Sequence, residues 1–141
     1  MEREINEMTN FHELPDSVRY EDMRNYFIEY LKYYSNNTNQ ANIHYALSEL
    51  LELAERQWHT YKMLDDEIKS QLEKYLKAIV DFEDTEVMDH ILSIIPLLGM
   101  KSLLDYFEIH KCDIQNEDVL SMITEAEFEY KETVENPYSG M

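Results

Sequence analysis

Residues 43–54 read IHYALSELLELA, and residues 88–99 read MDHILSIIPLLG. In both stretches apolar residues recur every three or four positions, which places them on one face of an α-helix. The two stretches align at an offset of 45 residues, from Ile43 to Met88, and an amphipathic stretch follows each of them. The chain has only two glycines and three prolines, so the tight turns of β-hairpins are almost absent. These patterns predict an all-α protein.

An offset in the range of about 40 to 47 residues, with two helices per unit, resembles HEAT and armadillo repeats. The resemblance covers residues 40–110 and depends on the apolar spacing of the two quoted stretches. Two units are visible, whereas repeat arrays usually need three or more. We therefore expect about six helices, arranged either as a short HEAT-like α-solenoid or as an irregular helical bundle.

The expected helices follow from apolar periodicity and from residues that can cap helix ends. Their approximate ranges are 18–34, 40–57, 67–80, 86–98, 101–110 and 117–134. The residues predicted for their core faces are, in the same order, Met23, Phe27, Tyr30, Leu31 and Tyr34; Ile43, Leu47, Leu50 and Ala54; Ile68, Leu72, Tyr75, Leu76 and Ile79; Met88, Ile91, Leu92, Ile95 and Leu98; Leu103, Leu104 and Phe107; and Val119, Ile123, Ala126 and Tyr130. On the second helix Glu49, Glu52 and Arg56 are expected to face away from the core, and the fourth helix is expected to be the most buried. The expected N-caps are Ser17, Asp65 or Asp66, Thr85 and Asn116, and the expected C-cap of the fourth helix is Gly99.

A single domain is expected, because 141 residues can bury one sizeable core. Residues 1–16 are predicted to be an acidic lead-in, residues 17–135 a single helical domain and residues 136–141 a frayed C-terminus. Hydrophobic residues make up 44% of the chain and aromatic residues 12%, which is too much apolar material for a disordered acidic tail. The chain is therefore expected to fold.

The charge of the chain limits what can approach it. Thirty acidic residues against 12 basic ones give a net charge of −18. This charge repels nucleic acids and anionic membranes, and it attracts a cationic surface over a screening length of about 8 to 10 Å at ordinary salt. We therefore expect a basic protein as the partner, with no direct nucleic-acid partner and no membrane partner.

The start of the chain and its apolar runs predict a cytoplasmic protein. Glu2, Glu4 and Glu7 occupy the place where a signal peptide has its apolar segment. The longest apolar run, residues 91–100, falls far short of the roughly 20 residues that span a bilayer. The single cysteine, Cys112, cannot form an internal disulfide.

A stripe of tyrosines and carboxylates is predicted on the first helix. At about 100° per residue, four side chains align opposite the core face and are expected to be exposed to solvent. Exposed tyrosines provide rigid contact area, and carboxylates beside them can pair with arginine or lysine of a partner. The alternative is that these tyrosines pack sideways under a neighbouring element. The four residues are Asp22, Tyr26, Glu29 and Tyr33.

A second, more acidic stripe is predicted on the last helix. From residue 113 to residue 141 the chain has eight acidic residues and one lysine, a net charge of −7. Like charges three or four positions apart destabilise a helix, and a basic partner could offset that cost. The alternative is a solvated face that aids solubility. The candidate binding residues are Asp118, Glu125, Phe128, Glu129 and Glu132.

Motifs for catalysis or metal binding are not found. The five histidines form neither the Glu-x-x-His pattern of di-iron bundles nor the His-Glu-x-x-His pattern of zinc peptidases. His110 and Cys112 lie close together, but the further ligands that zinc needs are missing. A glycine-rich phosphate loop and a Gly-x-Ser-x-Gly motif are also missing. We expect no bound metal, no cofactor and no enzyme activity.

Small size, strong acidity, an expected cytoplasmic location and the lack of a catalytic motif together resemble the immunity proteins of bacterial toxin and contact-dependent inhibition systems. Some of these are small helical or HEAT-like domains. The resemblance implies a bacterial inhibitor that binds a cognate toxin, often a basic nuclease, with carboxylates where the phosphates of the substrate would lie. Alternative hypotheses are a helical-repeat adaptor for a cellular protein or peptide, a nucleic-acid mimic and a small metal-dependent enzyme.

Overall fold

The computed structural model describes residues 11–15, 18–34, 43–60 and 62–130. No strand occurs among these residues, and the all-α prediction is confirmed. Two short 3-10 turns, Phe11–Glu13 and Lys111–Asp113, accompany the α-helices. The helices are α1 (Tyr20–Tyr34), α2 (Ile43–Trp58), α3 (Asp66–Ile79), α4 (Thr85–Leu98), α5 (Lys101–Ile109) and α6 (Glu117–Tyr130).

Helices that are separated in the chain by one other helix contact each other. Helix α2 packs on α4 and α4 packs on α6, while α3 contacts both α1 and α5. The two stretches that align at an offset of 45 residues form α2 and α4, and these helices share the most extensive contact between described elements. A HEAT-like solenoid and an irregular bundle both allow such a contact, so the choice between them stays a prediction.

The predicted apolar faces of α1 to α5 are all buried in the core. Each of these helices buries the residues whose three- and four-residue spacing predicted a core face. Three residues of α6 complete this part of the core. The buried residues of the five confirmed faces are Met23, Phe27, Tyr30, Leu31 and Tyr34 on α1, Ile43, Leu47, Leu50 and Ala54 on α2, Ile68, Leu72, Tyr75, Leu76 and Ile79 on α3, Met88, Ile91, Leu92, Ile95 and Leu98 on α4, and Leu103, Leu104 and Phe107 on α5.

Three predicted helix caps are confirmed. The side chain of Asp65 accepts a hydrogen bond of 2.8 Å from the backbone of Glu67 at the start of α3. Asn116 accepts one of 3.1 Å from Val119 at the start of α6. Gly99 ends α4 in the left-handed conformation, at φ 70° and ψ 41°, which a residue without Cβ adopts at little cost.

The predicted cap of the fourth helix was wrong by one residue. Asp84, and not Thr85, precedes α4 as its N-cap, with its carboxylate accepting hydrogen bonds from the backbone of Glu86 at 3.0 Å and of Val87 at 3.1 Å. A carboxylate satisfies two unpaired N–H groups and also suits the positive end of the helix dipole. The predicted cap Ser17 lies outside the described residues.

Helix α2 is more buried than predicted, and α4 is not the most buried helix. Nine of the 16 residues of α2 are buried, against seven of the 14 residues of α4. Helix α2 is contacted by α1, by α4 and by the turn Phe11–Glu13, so it is covered on more than one side. Two charged residues that were expected to face solvent, Glu49 and Arg56, are therefore only 2% and 6% exposed.

The two buried charges of α2 are paired. Glu49 accepts a hydrogen bond from the hydroxyl of Tyr34 on α1. The guanidinium of Arg56 donates to the backbone carbonyls of Leu14 at 2.7 Å and Pro15 at 3.0 Å, and it forms an ion pair of 2.6 Å with Glu52. Buried charges require such partners. The hydrogen bonds of Arg56 also connect the segment before α1 to helix α2.

Residues 11–15 of the predicted acidic lead-in are part of this packing. Phe11 is fully buried and packs edge-on against Tyr26, with ring centroids 6.1 Å apart, and against Tyr30 at the same distance. Its side chain thus joins the same core as α1. The short segment from Phe11 to Pro15 is called the N-terminal strap below.

A histidine joins the starts of α2 and α4. The Nε2 atom of His44 lies 2.8 Å from a carboxylate oxygen of Asp84, and its Nδ1 atom lies 2.7 Å from one of Glu86. Carboxylates only accept hydrogen bonds, so both contacts form fully only when both ring nitrogens carry a proton. The hydrogen bond with Asp84 raises the pKa of His44 and lowers the pKa of Asp84.

The His44→Gln variant is expected to lose a stabilisation that depends on pH. Because the pKa of His44 is raised on folding, its contribution is complete below the unfolded value of about 6.5 and is lost as the pH rises through the folded value. Denaturant titrations of wild type and variant should therefore differ more at about pH 5.5 than at about pH 8.5. An equal difference at both pH values would show that the imidazolium does not join the two helices.

Candidate protein-binding surface

Helix α6 has a buried apolar face and an exposed face with acidic and aromatic residues. Val119, Ile123 and Ala126 are buried against the neighbouring helices. At 100° per residue, Phe128 points almost directly away from that face. Its side chain is 92% exposed, the highest value among the exposed large hydrophobic residues of the described chain. Helix α6 thus presents a large apolar side chain to solvent.

A groove runs between α4 and α6 beside this phenylalanine. Its volume is about 160 Å³, and both apolar side chains and carboxylates line it. Helix α4 contributes one carboxylate and α6 contributes two, because the two helices pack against each other along this side. The lining residues are Asp89, Leu92 and Ser93 of α4, and Met122, Glu125, Ala126 and Glu129 of α6.

A second, larger hollow adjoins the groove. It has a volume of about 500 Å³ and is lined by Thr124, Glu125, Phe128 and Glu129. Glu125 and Glu129 line both hollows, so the groove and the exposed phenylalanine form one continuous surface. This surface, made of the groove residues together with Thr124 and Phe128, is called the α4–α6 surface below.

The carboxylates of the α4–α6 surface keep their charge exposed to a partner. Helix α6 has five acidic residues and no basic one. Within the part of the chain that the structure describes, no ion pair joins Asp89, Glu125 or Glu129 to a cation. The cation next to α6, Lys111, pairs instead with Glu127, which lies on the other flank of the helix. Among the described residues, therefore, no ion pair cancels the negative potential on this side.

The structure extends the predicted acidic stripe of the last helix. Asp118, Glu125, Phe128 and Glu129 are all exposed, as the helical projection indicated. Asp118 does not line the groove, and Glu132 lies outside the described residues. Asp89 was not predicted as a binding residue. Its position four residues before Ser93 shows which side of α4 it occupies, but it does not show which helix packs against that side.

The predicted stripe on α1 is half-buried and not open to solvent. This finding corrects the exposure that was expected for Asp22, Tyr26, Glu29 and Tyr33. The ring of Tyr26 contacts the buried Phe11, and Tyr33 packs edge-on against Tyr34 with centroids 4.8 Å apart. The alternative interpretation, in which the tyrosines pack sideways under a neighbouring element, agrees with the contact of Tyr26, whereas the contact of Tyr33 with Tyr34 lies within α1. The N-terminal strap is that neighbour for Tyr26.

The two predicted stripes belong to different parts of the fold. Helix α1 packs on α2 and α3, whereas α6 packs on α4 and α5. Asp22 also has a cation beside it, since its carboxylate lies 3.1 Å from the guanidinium of Arg19. Exposure and unneutralised charge therefore favour the stripe on α6 as the binding surface.

A larger cleft of about 680 Å³ lies between α3 and the junction of α4 with α5. Its charged side chains already have structural partners. Lys101 pairs with Asp105 at 2.9 Å, and a carboxylate oxygen of Glu73 accepts a hydrogen bond of 3.1 Å from the backbone of Leu103. Burial raises the pKa of Glu73, which caps the start of α5. This cleft is therefore better explained by helix capping than by ligand binding.

Two further findings bear on function. In residues 11–15, 18–34, 43–60 and 62–130, no group of three or more histidine, cysteine, aspartate and glutamate residues could hold a metal ion. No helix in the same residues is both long and apolar enough to cross a membrane.

Comparison of the chain with family models, with curated proteins and with solved structures found no match. The interpretation of the α4–α6 surface therefore rests on its own geometry and charge.

Proposed function

We propose that this protein is an acidic inhibitor that binds a basic protein through the α4–α6 surface, and that it acts as a bacterial immunity protein in the cytoplasm. Its partner would be a cognate toxin, such as a basic nuclease. The observation that carries the proposal is the exposed ring of Phe128 beside a groove with three carboxylates that no described cation neutralises.

The two components of the surface support different steps of binding. Unneutralised carboxylates attract a cationic partner and raise the rate of encounter, by about 10- to 1,000-fold in favourable cases. A large aromatic side chain that becomes buried in the complex slows dissociation, since such residues dominate binding energy. Phe128 has Glu125 and Glu129 on the same surface, so attraction and anchoring would act at one place.

Inhibition of a nuclease follows from the same chemistry. A nuclease binds the phosphates of its substrate with lysine and arginine side chains. Carboxylates held on two packed helices can occupy those positions without being cleaved. The groove carries Asp89, Glu125 and Glu129, and this charge favours a cationic partner over the neutral or apolar peptide that an adaptor would bind.

The direct test uses the gene next to the one that encodes this protein. An immunity gene is expected directly downstream of a larger toxin gene. The product of that larger gene should stop growth when it is expressed alone, and co-expression of this chain should restore growth. A neighbouring product without toxicity, or toxicity that this chain does not relieve, would contradict the proposal. Binding to several unrelated DNA-binding proteins would instead indicate a nucleic-acid mimic.

Charge reversal on α6 should weaken this complex. The double variant Glu125→Lys/Glu129→Lys is expected to raise the dissociation constant about tenfold or more, because like charges placed opposite each other cost at least about 1.4 kcal/mol. Titration calorimetry at low salt measures this change. The matched control is Glu55→Lys/Glu108→Lys, which alters net charge equally at two exposed positions elsewhere. Equal weakening by both double variants would mean that net charge, and not this surface, governs binding.

A further inference from the structure

The groove of the α4–α6 surface has the size of a side chain. Pockets for small molecules usually have volumes of roughly 300 to 1,000 Å³, and this groove measures about 160 Å³. The groove adjoins the hollow lined by Phe128, because Glu125 and Glu129 line both of them. A side chain that projects from a docked protein therefore fits the groove better than a free ligand does.

The lining of the groove matches a side chain with an apolar stem and a cationic head. Leu92, Met122 and Ala126 provide apolar contacts for methylene groups. Glu125 and Glu129 lie four residues apart, about 6 Å along the axis of α6, and Asp89 adds a carboxylate from α4. A planar guanidinium has five N–H donors and can bond to more than one carboxylate, whereas an ammonium acts as a point charge.

Phe128 adds a second preference for arginine. Its ring is 92% exposed and lines the same hollow as Glu125 and Glu129. A guanidinium stacks on an aromatic face and is more weakly hydrated than an ammonium, so less hydration is lost when it leaves water. The carboxylates and the ring would thus act on the same cationic group.

The negative charge of the α4–α6 surface favours a basic partner over a second copy of the chain. Helix α6 carries five acidic residues and no basic one, so a second copy of the chain would bring like charges together. An arginine of a basic partner has the complementary charge, an apolar stem for the apolar lining residues and a planar head for the carboxylates.

We propose that the groove between Asp89 of α4 and Glu125 and Glu129 of α6 is a recognition pocket for one arginine side chain of the partner, stacked against Phe128. This inference rests on the proposed function and names the group that the surface recognises. Asp89 is the residue that makes the pocket selective, because it supplies the carboxylate from the second helix.

The test compares two capped synthetic peptides that differ only in their cations. One carries three arginines among alanines and leucines, and the other carries lysine at the same three positions. Titration calorimetry with the full chain at low ionic strength measures both dissociation constants. The wild type is expected to bind the arginine peptide at least about threefold more tightly than the lysine peptide, and NMR shift changes are expected on α4 and α6.

Three variants make the test specific. Asp89→Asn and Phe128→Leu are each expected to reduce the preference for arginine toward unity, because each removes a group that distinguishes a guanidinium from an ammonium. Glu55→Gln, at an exposed position on α2, should leave the preference unchanged. Circular dichroism checks that all variants keep their helices.

The outcomes separate this inference from the proposed function. Equal affinity for the two peptides, or an arginine preference that Asp89→Asn leaves intact, would overturn the arginine pocket. If growth is restored by co-expression while the peptides bind equally, only the pocket is wrong. If the peptides behave as expected while the neighbouring gene product is harmless, the pocket stands and the immunity function is wrong.

Discussion

Replacing Phe11 by alanine is expected to lower the free energy of unfolding by about 3 to 5 kcal/mol, the usual cost of removing a fully buried phenylalanine. Phe11 has no exposed surface, and its ring packs against Tyr26 and Tyr30 of α1. The variant would leave a cavity where the N-terminal strap meets the core. Denaturant titration followed by circular dichroism measures the change.

Phe128→Ala is the matched control for this variant. It makes the same chemical change at a side chain that is 92% exposed, so stability should change by less than about 0.5 kcal/mol. If Phe11→Ala is as mild as Phe128→Ala, the N-terminal strap does not contribute to the stability of the domain. If Phe128→Ala is costly, the exposed ring has a structural role that its position on α6 does not explain.

Replacing Arg56 by methionine is expected to lower the free energy of unfolding by about 3 kcal/mol. Methionine can keep most of the apolar contacts, but it leaves the carbonyl oxygens of Leu14 and Pro15 without the donors that Arg56 supplies. These hydrogen bonds are part-buried and have a charged donor, a kind of bond that contributes about 1.5 to 3 kcal/mol, and Glu52 also loses its cation. The same denaturant titration measures this loss.

Arg19→Met serves as the control, because the side chain of Arg19 is 79% exposed and its ion pair with Asp22 lies at the surface. Surface ion pairs contribute little, so no measurable change is expected. Arg56 and Phe11 both hold the N-terminal strap, and their losses should be less than additive in the double variant. Full additivity would show that the two side chains act on independent parts of the fold.

The helical spacing of apolar residues was sufficient for the core faces of α1 to α5. Every residue predicted for these faces is buried. The spacing did not reveal that Glu49 and Arg56 of α2, which were assigned to solvent, are buried as well. A projection assumes that a helix is covered on one face, and α2 is covered by α1, by α4 and by the turn Phe11–Glu13.

Only part of the candidate surface was predicted, because helical spacing does not show which helices pack together. The exposure of Glu125, Phe128 and Glu129 follows from their positions relative to the buried face of α6. Asp89 belongs to the surface only because α4 packs beside α6, and such a contact between distant segments leaves no trace in local spacing. The α1 stripe was over-predicted because residues 11–15 were treated as an acidic lead-in.

The helical class, most helix ends and the sign of the charge could be predicted from the amino-acid sequence, because these properties depend on local periodicity, on capping residues and on composition. Tertiary packing was needed to show which charges are buried, where the N-terminal strap docks and which acidic residues meet in one groove. Those outcomes depend on the packing of segments that are far apart in the chain. Local spacing cannot specify that packing, because one apolar face can be covered by several different neighbours.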